Sequence, residues 1–135
     1  FSEMSVLSEE FAQCVAHQTD KIVFITDREK VIAAAGDGLK GIVGKEISHS
    51  LERILDDRDE SLPLAERSRF IPVVESMDGA DEMKKVEQVR QIIRSNGQII
   101  GSIIIQSKDP KYKVGEFEKK VAMVAPEFLG KQITI

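Results

Sequence analysis

The sequence lacks several features that mark whole classes of protein. Of its 135 residues one is cysteine, one is tyrosine and none is tryptophan. The single cysteine, Cys14, excludes an internal disulfide and a CxxC redox or zinc motif, and it fits a reducing compartment. Apolar runs stay far below the ~20 residues of a membrane span, and the N-terminus has neither the basic nor the apolar region of a signal peptide. We therefore expect a cytoplasmic protein.

Positive charge is also scarce. The 19 lysines and arginines are outnumbered by 23 acidic residues, which gives a net charge of -4. Binding to DNA needs a basic face that neutralises phosphates, so this chain alone is expected to bind DNA poorly. Its length and its 41% hydrophobic residues fit one domain over residues 1–135. Because the chain begins with Phe1 rather than methionine, we expect it to be part of a longer protein.

Both ends of the chain have the spacing of an amphipathic helix. Apolar residues in steps of three and four stack along one helix face, and such a seam suits packing against another helix. Pro126 predicts a kink or an early end of the second helix, since it lacks an N–H group. The N-terminal seam is Met4, Leu7, Phe11, Cys14 and Gln18, and the C-terminal seam is Val114, Phe117, Val121, Val124 and Phe128.

These seams allow two interpretations. Two copies of the chain could form a four-helix bundle across a homodimer axis. Alternatively, both helices could cover one face of a sheet within a monomer. The residues predicted for the dimer interface are Met4, Leu7, Phe11, Val114, Phe117, Val121, Val124 and Phe128.

Two β-hairpins are predicted between the terminal helices. Residues 21–26 and 31–35 are apolar and flank a polar turn that begins at Asp27. A second hairpin centres on Asn96 and Gly97, which favour the positive φ angles of a type I′ turn. The isoleucines after Gly97 put apolar groups on both faces of the following strand, which indicates a central strand covered on both sides.

The remaining segments complete an α+β domain. Residues 46–57 predict a short helix with an apolar stripe, preceded by glycines that let it approach the sheet closely. Residues 70–76 predict a fifth strand, which Pro72 places at an edge. We expect a central antiparallel sheet of about five strands, with the terminal helices on one face and the short helical segment on the other.

Space for a small ligand is expected where the short helix leans over the sheet, since ligand pockets favour concave apolar sites. Arg90 stands in a strand otherwise rich in valine and isoleucine. Facing inward, it would need a carboxylate or a ligand anion as partner; facing outward, it would lie in solvent beside Gln88. The predicted pocket residues are Ile47, Leu51, Arg53, Ile71, Val73, Arg90 and Ile92.

The chain shows no signature of catalysis, of a metal site or of a bound cofactor. His17 and His49 are its only histidines, so a hydrolase triad has few candidates. His49 lies between two serines at a predicted helix start, where Ser48 or Ser50 is expected to act as a cap. The glycines of GDGLKGIVG match no phosphate-binding motif. We expect no enzyme activity; an unrecognised enzyme would need His49 or Cys14 in a cleft.

Four blocks of the chain resemble the C-terminal GAF-like domain of the stage V sporulation protein T family, transcription regulators of spore-forming Firmicutes. They are VFITDREKVIAAAG, GKEISHSLERILDDR, NGQIIGSIIIQSKD and GEFEKKVAMVAPEFLGKQI. The resemblance runs over nearly the whole chain, with the blocks in the same order. The resemblance implies an oligomer with an upstream AbrB-type DNA-binding domain, absent from this chain. It also implies a GAF domain that senses a small molecule, so DNA would be bound only through the upstream domain.

The expected function is therefore small-molecule sensing and oligomerisation, in which ligand occupancy alters the geometry of the terminal helices. Two alternatives remain open. A purely structural dimerisation module would have a filled core and no ligand. A PAS-like sensor would share the Asp-led hairpin followed by a glycine-rich helical segment, and its strand order would distinguish it from a GAF domain.

Overall fold

Three helices and four strands make up the described part of the chain. The computed structural model describes residues 2–36, 41–57, 70–75 and 86–132. None of the helices within these ranges has the length and hydropathy that a membrane crossing requires. In chain order the elements are α1 (Ser2–Thr19), β1 (Ile22–Thr26), β2 (Val31–Ala35), α2 (His49–Asp57), β3 (Gln88–Ser95), β4 (Gln98–Gln106) and α3 (Glu116–Gln132).

The four strands form one antiparallel sheet in the order β2-β1-β4-β3. The two hairpins therefore lie side by side, and β1 and β4 are the inner strands. Residues 101–106 of β4 are buried throughout, because helices cover both faces of this strand. The prediction of a central strand from its isoleucine-rich sequence is confirmed.

Both hairpin turns form through local chemistry. The Oδ1 atom of Asp27 accepts hydrogen bonds from the backbone N–H groups of Glu29 and Lys30, each at 2.7 Å. Asn96 and Gly97 have φ angles of 51° and 79°, the left-handed values that a type I′ turn needs. Each turn depends on residues within a few positions of one another, so both were predictable.

Helices α1 and α3 pack on one face of the sheet. Helix α1 packs on β2 and β1, and α3 packs on β3 and β4. These contacts use several alanines, whose small side chains allow the helices to lie close to the strands. The buried residues of this core include Ala12, Val15, Val23, Ile25, Ile93, Ile103, Ile105, Ala122, Ala125 and Leu129.

The face that α1 turns to the sheet differs from the predicted seam. Ser8, Ala12 and Val15 are buried, whereas Cys14 and Gln18 are exposed. The prediction followed the large apolar residues of the helix. The residues that pack on the sheet instead include small ones that allow a close approach. Each of them lies one position after a residue of the predicted seam.

Helix α3 shows the same displacement and also continues beyond its proline. It runs through Pro126 to Gln132, so the predicted early end is wrong. Phe117, Val124 and Phe128 are exposed, so they do not cover the sheet of their own chain. The residues that α3 buries are Glu118, Ala122, Ala125, Pro126, Leu129 and Gly130.

Helix α2 covers the opposite face of the sheet, as predicted. Leu51 and Leu55 are buried together with Phe24 of β1 and Ile104 of β4. Ser48 caps the helix, because its Oγ atom accepts the N–H group of Leu51 at 3.1 Å.

Residues 70–75 lie beside α2 and form no strand, so the prediction of a fifth strand is wrong; Ser76 lies outside the described residues. Pro72 has no N–H group to offer to a strand ladder. The carbonyl of Pro72 accepts a hydrogen bond from Ser48 Oγ at 2.6 Å, and that of Val73 accepts the Ser48 N–H at 2.7 Å. The segment is thus tied to the start of α2.

Gly101 lies where β4 passes close to the end of β1. A Cβ atom at this position would overlap the backbone carbonyl of Thr26, so the strands would have to move apart. We expect Gly101→Ser to lower the free energy of unfolding by about 3 kcal/mol, measured by urea unfolding followed by circular dichroism.

Gly115→Ser is the matched control. The nearest atoms to an added Cβ there are the carboxylate oxygens of Glu118, at 3.7 and 3.8 Å. Gly115 also precedes the first residue of α3, a position where serine is favoured. Equal losses of stability at the two positions would show that the close approach at Gly101 is not what excludes a side chain.

Candidate functional site

The sheet face beneath α2 contains many buried polar side chains, and we call it the polar face. The antiparallel register aligns β1, β4 and β3 so that three rows of side chains cross this face. Four polar side chains in these rows are at most 2% exposed, and such groups are stable only when they are hydrogen-bonded. The rows are Ile22–Gln106–Gln88, Phe24–Ile104–Arg90 and Thr26–Ser102–Ile92.

Gln88 is the centre of a hydrogen-bonded network. Its Oε1 atom accepts the backbone N–H of Ile71 at 3.1 Å, and its Nε2 atom donates to the carbonyl of Ile71 at 2.9 Å. Nε2 also donates to Oε1 of Gln106 at 2.9 Å, while Oε1 also accepts a hydrogen bond from the Arg90 guanidinium. One side chain therefore joins the 70–75 segment to β3 and β4.

A second polar pair lies at the other end of the same face. The hydroxyl groups of Thr26 and Ser102 are 2.7 Å apart and form a buried hydrogen bond between β1 and β4. This pair is satisfied within the protein, so it stabilises the strand pairing and leaves the region around Gln88 as the chemically distinctive part of the face.

Arg90 brings a positive charge to this region. It pairs with Ile104 across β3 and β4, so its side chain lies on the α2 side of the sheet. Burial disfavours the charged form and lowers the pKa of Arg90 to about 10. The guanidinium still carries its charge at neutral pH, because this pKa lies well above 7. Of the two orientations considered for Arg90, the inward one is present.

The seven predicted pocket residues occupy different environments. Ile47, Leu51 and Val73 are buried in the core beneath α2, and Ile92 is partly buried against that core. Ile71 and Arg90 are half-buried, while Arg53 is exposed on α2. The fold therefore brings Ile71, Arg90 and Ile92 to the polar face, and it places Arg53 at the surface.

Sequence reasoning missed Gln106 as a member of this site, and it considered Gln88 only as a companion of an outward Arg90. The two-residue spacing of Gln88 and Arg90 showed that they share a face of β3. Gln106 could not be assigned in this way, since its position beside Gln88 depends on the pairing of β3 with β4.

The residues considered for catalysis lie apart from one another. Cys14 is exposed on α1, and His17 lies in the last turn of the same helix. His49 is exposed at the start of α2, on the opposite face of the sheet. Across the described ranges, no group of three or more histidine, cysteine or acidic side chains could hold a metal ion.

A second candidate surface is apolar and lies on α1 and α3. Phe117, Val124 and Phe128 are 57%, 64% and 43% exposed. Phe128 stacks on Phe11 of α1 with the ring centroids 6.2 Å apart. Leu7, four residues before Phe11 on the same helix, is half-buried. We define the terminal-helix surface as Leu7, Phe11, Phe117, Val121, Val124 and Phe128.

The other predicted interface residues are placed differently. Val121 is half-buried, and Val114 is buried just before α3 begins. The side chain of Met4 lies outside the described part of the chain. The predicted seams therefore divide into residues at the surface and residues that contribute to the core.

Solved structures of other proteins share this fold. The cofactor binding GAF domain of the nutrient sensor CodY from Clostridium difficile has a TM-score of 0.67 and 12% sequence identity, over 93% of this chain and 83% of that one. A type II free methionine-R-sulfoxide reductase from Thermoplasma acidophilum has a TM-score of 0.60 and 13% identity, over 96% and 92% of the two chains. At these identities only the fold is shared. The domain is GAF-like, as predicted.

Sequence comparison identifies the family. Residues 3–134 match the family described as stage V sporulation protein T C-terminal, transcription factor. The chain is also 33% identical over 132 residues to stage V sporulation protein T of Bacillus subtilis (strain 168), a match that covers 98% of this chain and 70% of that protein. The chain belongs to the stage V sporulation protein T C-terminal family, as the four blocks indicated.

Replacement of Gln88 tests the polar network. Gln88→Leu would leave the N–H and carbonyl of Ile71 and the buried amide oxygen of Gln106 without their partner, and each such group costs about 1–3 kcal/mol. We expect a loss of about 3 kcal/mol in the free energy of unfolding, measured in urea. Gln98→Leu, at an exposed position of β4, should change it by less than about 0.5 kcal/mol. Equal stability of the two variants would contradict the role of Gln88.

Proposed function

We propose that this domain is the small-molecule-sensing and oligomerisation part of a sporulation transcription regulator. The observation that carries the proposal is the buried polar face beneath α2, where the charged Arg90 joins the Gln88 network. A module that only dimerised would be expected to fill this face with apolar side chains, because buried charges contribute little net stability. The cofactor-binding role stated for the CodY GAF domain supports a ligand in a domain of this fold.

Ligand occupancy would be transmitted from this face to α2. Gln88 holds the backbone of Ile71, and the next two carbonyls, those of Pro72 and Val73, hold Ser48 at the start of the helix. A ligand that altered the Gln88 network would change the preferred position of this segment and of the helix it caps. Such a ligand shifts the equilibrium only by its differential affinity for the two arrangements.

A second route leads to the terminal helices. Ile92 and Ile93 are neighbours on β3 with side chains on opposite faces of the sheet, one beneath α2 and the other in the core under α1 and α3. The backbone of α3 also approaches β3 so closely that a Cβ atom on Gly130 would overlap the carbonyl of Arg94. A displacement of β3 would therefore displace α3 as well.

The terminal-helix surface would pair with the same surface of a second copy. Exposed phenylalanine and valine side chains on one side of α3 leave apolar area in water, and such patches mark interaction sites. An isologous contact between two α1–α3 pairs would give a four-helix bundle. Movement of α3 would then change the relation between the two copies.

DNA binding would belong to a separate domain upstream. The family is one of transcription factors, which supports a cytoplasmic location, but this chain has a net charge of -4 and no excess of basic residues. The relative from Bacillus subtilis is longer than the matched region. A role in regulation without catalysis fits these features, and the methionine sulfoxide reductase shares the fold alone.

The sensing proposal is tested by thermal unfolding of the domain in the presence of a metabolite panel. A ligand at a hundred times its dissociation constant stabilises a protein by about 2.7 kcal/mol, which raises the melting temperature of a domain of this size by several degrees. We expect at least one class of metabolite to give such a rise. If none does while the domain still self-associates, the structural dimerisation alternative is the correct one.

The oligomerisation proposal is tested by a double variant, Phe117→Glu with Val124→Glu. Both side chains are more than half exposed, so the fold should be retained while two charges are placed in the proposed interface. We expect sedimentation to show a dimer for the unchanged chain and a monomer for the variant.

The matched control is Gln13→Glu with Lys119→Gln, which also lowers the net charge by two units at exposed positions of α1 and α3 but lies away from the terminal-helix surface. This control should remain a dimer. A dimer that survives the Phe117 and Val124 substitutions would show that the chains associate through another surface.

A further inference from the structure

Gln106 has a buried hydrogen-bond donor without a partner. Its side chain is fully buried, and its Nε2 atom makes no hydrogen bond with the residues that the structure describes. An unsatisfied buried amide costs free energy that folding alone does not recover. Ser8 and Ser107 also have buried hydroxyl groups without a partner, and of these three atoms only that of Gln106 belongs to the rows beneath α2. It is the donor on this face that a ligand would satisfy.

The chemical identity of this unsatisfied atom is determined by its neighbours. The oxygen and nitrogen of a glutamine amide are exchanged by a simple flip. The Ile71 backbone removes this ambiguity for Gln88, since its N–H must meet an oxygen and its carbonyl must meet a nitrogen. Nε2 of Gln88 then donates to Gln106, which must present its oxygen. The free atom of Gln106 is therefore the N–H donor.

The neighbours of this donor on the same face include the Arg90 guanidinium. Oε1 of Gln88 already accepts two hydrogen bonds, from Ile71 and from Arg90, so it offers little to a ligand donor. Arg90 reaches the same network from the adjacent row of side chains. Arg90 has partners besides Gln88, so the donor that needs a ligand is the Gln106 amide.

We propose that this position binds the carboxylate of a small metabolite, with Gln106 donating to a carboxylate oxygen and Arg90 supplying the opposite charge. A carboxylate has acceptors without donors and matches both groups. A doubly charged phosphate fits less well, because its neighbours on this face include Phe24, Ile92 and Ile104 and one cation would not offset its desolvation. The inference rests on the proposed sensing function and specifies its ligand class.

The experiment titrates the 135-residue chain with butyrate and with butyramide, its neutral isostere, at constant ionic strength in sodium chloride. The readout is the NMR signals of the Gln106 side-chain amide and of Arg90 Nε. We expect saturable shifts with butyrate and binding of butyramide weaker by about tenfold or more, because the charge-assisted hydrogen bonds are lost. Equal affinity for the two compounds, or shifts confined to other residues, would overturn the proposal.

Variants then connect the binding to the named groups. Gln106→Glu keeps the shape of the side chain but replaces the donor with a negative charge, and it should weaken butyrate binding by about tenfold or more. Gln98→Glu makes the same change at an exposed position of the same strand and should leave the affinity unchanged. Unaltered affinity in Gln106→Glu would contradict the proposal.

A second variant covers the case in which a buried glutamate at position 106 prevents folding. Arg90→Gln removes the charge and should also weaken butyrate binding, whereas Arg94→Gln, at an exposed position of the same strand, should not. Dispersed amide signals establish folding in each variant. Equal butyrate affinities of the Arg90 and Arg94 variants would overturn the assignment of Arg90.

The outcomes separate this inference from the broader proposal. If the metabolite panel raises the melting temperature but butyrate does not shift Gln106 and Arg90, sensing stands and the carboxylate site is wrong. If neither measurement detects a ligand, the sensing proposal and the carboxylate-site proposal are both wrong.

Discussion

The paired hydrogen bonds between the Gln88 amide and the backbone of Ile71 connect the parts of the candidate site. Within the part of the chain that the structure describes, the 70–75 segment pairs with no strand, since Pro72 cannot donate to a ladder. The Gln88 side chain supplies hydrogen bonds that a strand would otherwise have supplied. Once the segment is held there, its carbonyls hold Ser48 and thereby the start of α2. The cover over the polar face thus depends on one buried glutamine.

The terminal helices α1 and α3 turn one set of side chains to the sheet and leave another set exposed. Alanines and Leu129 lie against the sheet, where space is limited, whereas Phe117, Val124 and Phe128 of α3 remain exposed. A helix that packs small residues on its own sheet can leave larger apolar ones exposed, and exposed apolar patches mark interaction sites. Helices α1 and α3 therefore stabilise the fold of the chain and also carry an exposed apolar surface.

The two candidate surfaces lie on opposite faces of the same sheet. Arg90 and Ile92 point toward α2, whereas Ile93 belongs to the core beneath α1 and α3. Strand β3 therefore connects the proposed ligand site with the core beneath the terminal helices. A sheet is a stiff connection, so a displacement on one face is transmitted to side chains on the other.

The sequence by itself determined the features that neighbouring residues decide. The Asp27 turn, the Asn96–Gly97 turn, the covered central strand and the stripe of α2 follow from dihedral preferences and hydrogen bonds over a few positions. The buried faces of α1 and α3 and the absence of a strand at 70–75 required the tertiary structure, because they depend on available space and on distant partners. So did the site: alternation places Gln88 with Arg90, but only strand pairing brings Gln106 beside them and leaves its amide donor unsatisfied.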